Sequence, residues 1–103
     1  MDTEEYIHTI NPDPTKQGVR IEKDKFEMIR KAILNNLHAY GPLTFSQLGS
    51  LLDDQLQRKF DGSVMWYYTI VKLDMEARGE IHRVHNSSPQ LICTAGEMAE
   101  WVR

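Results

Sequence analysis

A chain of 103 residues with 41% hydrophobic and 26% charged side chains is one globular domain, large enough to build a core without disulfide or metal support. Its single cysteine, Cys93, excludes an intramolecular disulfide and fits a reducing, cytoplasmic setting. A net charge of −3 argues against a strong electrostatic pull on nucleic acid, unless a dimer gathers its bases on one face.

The opening Met1-Asp-Thr-Glu-Glu5 lacks a basic segment followed by an apolar run, so no secretory leader is expected. No 18-residue apolar run suggests a membrane span. Residues 1–22 read as an N-terminal arm, and residues 23–103 as the domain proper. Within the arm, Asn11-Pro-Asp-Pro14 forbids helix and favours turns. Gly18-Val-Arg-Ile21 alternates like a short strand, which needs an edge to pair with. Either the hairpin of the same chain or a second subunit can supply that edge.

The first helix is expected from Asp24 to Tyr40. Phe26, Ile29, Ile33, Leu37 and Tyr40 recur at helical spacing, and Met28, Ala32 and Leu34 widen the stripe. Gly41-Pro42 stops it. Thr44 and Gln47 form a capping box for the second helix, and Leu43 and Leu48 are spaced as a hydrophobic staple. Phe45, Leu48, Leu52, Leu56 and Phe60 supply its inner face, and Leu43 the short strand before it.

Asp61-Gly62 breaks the chain and Ser63 caps a third helix that ends at Gly79, a left-handed C-cap. Trp66, Ile70, Leu73 and Ala77 fall on one stripe, expected to face the core. Met65, Tyr68, Thr69, Lys72 and Glu76 then face outward. Ile81 to Val84 and Leu91 to Cys93 are strands joined by a polar turn, Asn86-Ser-Ser-Pro89. Cys93 is a small buried hydrophobe in the second of these strands. Thr94 and Glu97 repeat the capping pattern, predicting a short C-terminal helix that buries Met98 and Trp101.

Helix then hairpin makes the expected fold class α+β, a winged helix: a three-helix core, a small antiparallel β-hairpin wing and a short C-terminal helix. Leu73-Asp-Met-Glu76-Ala-Arg-Gly79-Glu-Ile81 resembles the L-x-x-L/M-E-x-x-G-x-I end of a recognition helix in winged helix-turn-helix regulators. Cys93-Thr94-Ala-Gly96 resembles the L-T-x-x-G that follows their wing. The whole chain also resembles a family of small bacterial proteins that is a domain of unknown function. That likeness lies in Asn11-Pro12, Lys16, Gly18, Arg20, Ile21, Gly62-Ser63, Trp66-Tyr67, Val71-Lys-Leu-Asp74 and Glu76-Ala-Arg-Gly79. It implies a fold and no mechanism.

The regulator-like arrangement implies double-stranded DNA as partner, with Met65, Tyr68, Thr69 and Lys72 on the helix and Arg83 and His85 at the wing. Arg58, Lys59 and Arg78 would add positive charge. Four phosphate contacts would give a salt slope of about −3.6 per subunit, a modest term. Met65 and Tyr68 are also an apolar, aromatic pair that suits a protein partner, and a homodimer would cover Ile21, Trp101 and Val102. The wing's His85, Asn86, Ser87 and Ser88 fit phosphate contact and an ordinary hairpin turn equally. No phosphate loop, nucleophile elbow or zinc-protease pattern occurs, so no enzyme is expected. His82 and His85, three apart on a strand, diverge, so neither a metal nor another cofactor is expected.

Overall fold

The computed structural model describes residues 5–96. Eight elements follow in chain order: β1 (Tyr6–His8), β2 (Arg20–Glu22), α1 (Lys23–Tyr40), β3 (Leu43–Thr44), α2 (Phe45–Leu56), α3 (Val64–Ala77), β4 (Ile81–Arg83) and β5 (Leu91–Thr94). The architecture is mixed α+β, with three helices and two small antiparallel sheets.

The first sheet lies within the arm. β2 pairs with β1, Ile7 opposite Ile21, so the edge comes from neither the later hairpin nor a second subunit. Tyr6–His8 is too short a strand for its alternation to register in the sequence. Beyond the pair, the Thr9 amide donates to the Val19 carbonyl (2.9 Å), and the Val19 amide donates to Thr9 Oγ1 (2.9 Å). Gly18 makes this crossing possible: a Cβ there would sit 1.7 Å from the Thr9 carbonyl oxygen. Ile21 is 2% exposed and belongs to the main core, so it offers no reason for a dimer.

The capping box forms as expected. The Gln47 amide donates to Thr44 Oγ1 (3.1 Å), and the Thr44 amide donates to Gln47 Oε1 (3.0 Å). Ser63 caps α3 by accepting from the Trp66 amide (3.1 Å). At the other end Gly79 takes φ +80°, the Glu80 amide reaches the Met75 carbonyl and the Gly79 amide that of Glu76, which closes a Schellman motif. β3 is the two-residue strand Leu43–Thr44, and the second sheet runs β3–β5–β4.

The core is filled by Phe26, Ile29, Ile33 and Leu37 from α1, Leu48, Leu52 and Leu56 from α2, and Val64, Tyr68, Val71 and Met75 from α3, closed below by Ile81 and Ile92. Phe60 and Cys93 are buried too. On α1 and α2 three expected inward residues are not: Tyr40 is 63% exposed, Met28 39% and Phe45 37%. Tyr40 is the last residue of α1 and Met28 points about 100° around the helix from the buried Ile29, so the core does not reach them. Asn36 is buried between α1 and α2, where its side-chain amide and that of Gln55 exchange hydrogen bonds of 2.9 and 3.0 Å. The C-terminal helix is expected from Ala95; Ala95 and Gly96 are helical, and Met98, Trp101 and Val102 lie outside the described residues.

Candidate functional site

The rotation of α3 decides what the molecule presents. Two stripes on this helix share one spacing of four, three and four: Val64, Tyr68, Val71, Met75 and Trp66, Ile70, Leu73, Ala77. The first is buried. The second faces away from it, with Trp66 48% exposed and Ile70, Leu73 and Ala77 half-buried. This corrects the expectation that Trp66 and its stripe point inward and that Tyr68 and Lys72 point out.

The physical reason is that every polar group on the inner side finds a partner. Tyr68 is fully buried, stacks on Phe45 with ring centroids 4.7 Å apart, and donates its hydroxyl to the Phe45 carbonyl (2.8 Å). Burial pushes this phenol well above its ordinary pKa, so it stays protonated and neutral. Lys72 is 8% exposed, and its ammonium lies 3.1 Å from Glu76 Oε2 and 5.5 Å from the Phe45 ring centroid. Asp74, fully buried, accepts from the Ile10 amide at Oδ1 and from Arg78 Nε at Oδ2, both at 2.9 Å. A polar pattern alone reads such residues as exposed; matched partners overrule it.

Glu76 is the hub of the surface beside β4. Its side chain is 7% exposed, and besides Lys72 it holds Arg83, whose Nε lies 3.1 Å from Oε2. Two cations therefore share one carboxylate. Beside them Pro12, Asp13, Ile81 and His82 complete a shallow cleft of about 350 Å³. A second cleft of about 320 Å³ lies between α2 and the start of α3, walled by Phe45, Gly49, Asp53 and Met65.

The residues named as DNA contacts are thus not brought together on one face. Met65 is 41% exposed and lines the α2–α3 cleft. Thr69 is half-buried and turns its hydroxyl back to the Met65 carbonyl (2.9 Å). Tyr68 and Lys72 are inside. Arg83 and His85 are exposed, Arg83 tied to Glu76. At the hairpin tip Ser87 Oγ donates to the Val84 carbonyl (3.1 Å) and accepts from the Leu91 amide (2.9 Å), so this side chain serves the turn itself. Among the described residues no three His, Cys, Asp or Glu side chains gather closely enough to hold a metal ion. No described helix is long and apolar enough to cross a membrane.

Sequence reasoning missed Asp74 as the anchor of the arm and Glu76 as a shared counter-charge. The Lys72/Glu76 spacing of four was the available signal for the second. Nothing local signals that the amide of Ile10 lies beside Asp74, 64 residues on.

Among the described residues, three helices and two small antiparallel sheets make a compact α+β domain. The chain belongs to the family of unknown function DUF6958, whose model matches residues 6–92. No curated protein and no solved structure matches it.

Proposed function

We propose that this chain is a winged-helix module that docks another polypeptide, with the outer face of α3 as the docking surface. Support for the winged helix is the order α1, β3, α2, α3, β4, β5, with β3 joining the β4–β5 hairpin in one antiparallel sheet. One observation carries the docking reading: the outward face of α3 is apolar, with Trp66 half exposed, while the cations a duplex would need nearby are engaged by Glu76.

A helix that reads a major groove offers charged and hydrogen-bonding side chains to base edges and phosphates. Exposed aromatic and aliphatic side chains are instead what the centres of protein interfaces contain. The net charge of −3 acts in the same direction. A transcriptional regulator gripping double-stranded DNA is the competing use of this architecture.

Two measurements separate them. A mobility-shift titration with random duplex at low salt is expected to show no complex. Affinity capture with the tagged full chain is expected to recover a polypeptide that is lost with Trp66→Glu. Salt-sensitive DNA binding that disappears in an Arg58→Glu, Arg83→Glu double variant would overturn the docking reading.

A further inference from the structure

Two clefts flank the outward side of α2 and meet along Ser46 and Ser50. One is the α2–α3 cleft, where Phe45 and Met65 are exposed. The other, about 510 Å³, lies between α2 and the end of α1 and is walled by Tyr40, Leu43 and Leu51. The core takes Leu48 and Leu52 from the opposite side of α2 and leaves Tyr40, Phe45 and Met65 in contact with solvent. Between the clefts α2 carries only the small side chains of Ser46 and Ser50, so an apposed helix can lie close.

The charge on this groove has one sign. Asp53 is the only charged residue lining either cleft, and α2 adds Asp54 and no cation. Among the described residues neither acid has an ion-pair partner. Arg58 and Lys59, the next cations along the chain, line neither cleft.

We propose that the groove binds a basic amphipathic helix of another polypeptide, on a surface separate from the outer face of α3. Apolar side chains of that helix enter the two clefts, and a Lys or Arg on its flank reaches Asp53. The apolar contacts supply the strength, and Asp53 with Asp54 selects the sign of the partner. An added strand is a poorer occupant, because the Thr44 amide at the edge of β3 is already taken by Gln47. A second copy of this chain is poorer too, since this face has no cation to offer its own image.

Fluorescence anisotropy at low ionic strength tests this with two labelled helical peptides that share one leucine stripe, their polar faces lysine in one and glutamate in the other. The full chain is expected to bind the lysine peptide, and the glutamate peptide at least about tenfold more weakly. Ser50→Trp, at an exposed position, fills the floor of the groove and is expected to cost at least about tenfold in affinity while leaving thermal melting unchanged; Ser46→Trp serves where Ser50→Trp does not fold. An Asp53→Lys, Asp54→Lys double variant is expected to prefer the glutamate peptide, and Trp66→Glu to bind as the parent does. Failure of both peptides to bind overturns the proposal, as does equal binding of the two. Binding that survives Ser50→Trp but is lost with Trp66→Glu refutes the groove and leaves the docking face of α3 standing. Sedimentation showing a dimer that Ser50→Trp abolishes gives the groove to a second copy, and lysine-peptide binding that appears only after removal of residues 97–103 gives it to that segment; either overturns the proposal.

Discussion

Tyr68 shows how one side chain holds two helices in register. Its ring stacks on Phe45 at the start of α2, and its hydroxyl reaches the carbonyl of the same residue. Tyr68→Phe keeps the stacking and loses the hydrogen bond, so urea denaturation should show a loss of about 1 kcal/mol. Tyr68→Ala should cost about 3–5 kcal/mol through the cavity it leaves. A second residue-scale prediction concerns acid. Arg30 grips Glu80 with two guanidinium nitrogens, the shortest contact 2.8 Å, and this pairing holds the Glu80 carboxyl below its ordinary value of 4.5. Stability from the pair is therefore present above that value and fades as pH falls through the lower pKa of the folded state. Both side chains are about one-third exposed, so the contribution is modest and screened by salt. In pH-dependent melting, Glu80→Gln should be less stable than the parent near neutrality, and the difference should shrink at acidic pH.

At the scale of elements, the arm is fastened by one buried carboxylate. Asp74 joins the Ile10 amide to the end of α3, and the Thr9–Val19 crossing closes the arm on itself. Asp74→Ala should cost about 1–3 kcal/mol, because it leaves the Ile10 amide without its acceptor, while the half-exposed Arg78 guanidinium turns to water. Hydrogen exchange should then show faster opening of residues 6–22 than of α1. Gly18→Ala tests the same fastening from the other side and should cost about 1–3 kcal/mol, since the Thr9 carbonyl must move to admit a methyl group.

The elements also explain what was legible in the sequence. Caps and breakers act within a few residues, so the Thr44 box, the Ser63 cap and the Gly79 terminus could all be read directly. The rotation of α3 could not. Its two apolar stripes have the same spacing, and the choice between them depends on Phe45 and Ile10, which touch the helix from distant parts of the chain, and on Arg83 from the strand that follows it. The candidate site inherited that error, because every residue assigned to the outward face was assigned through the rotation. Of the expected contacts, Met65 on the helix and Arg83 and His85 off it keep the exposure expected of them.

At the scale of the molecule, the arm and the helices share one core. Ile21 is buried in the main hydrophobic cluster, and Ile7 and Val19 pack against it. The boundary at residues 22/23 is therefore a change of element and not of folding unit. A chain cut there should lose cooperative thermal unfolding or melt at markedly lower temperature, since it exposes both the apolar floor and the Asp74 carboxylate.

Glu76 has a consequence for any polyanion the molecule meets. Binding to a phosphate chain is driven by small ions escaping into solution when protein cations replace them. Lys72 and Arg83 already carry a counter-ion, and it is covalently tethered. Its release yields no entropy of mixing, so these two cations add little to the attraction. Replacing Glu76 by Gln would untether them, and a steeper salt dependence of duplex binding in that variant alone would reveal how firmly one glutamate mutes this surface.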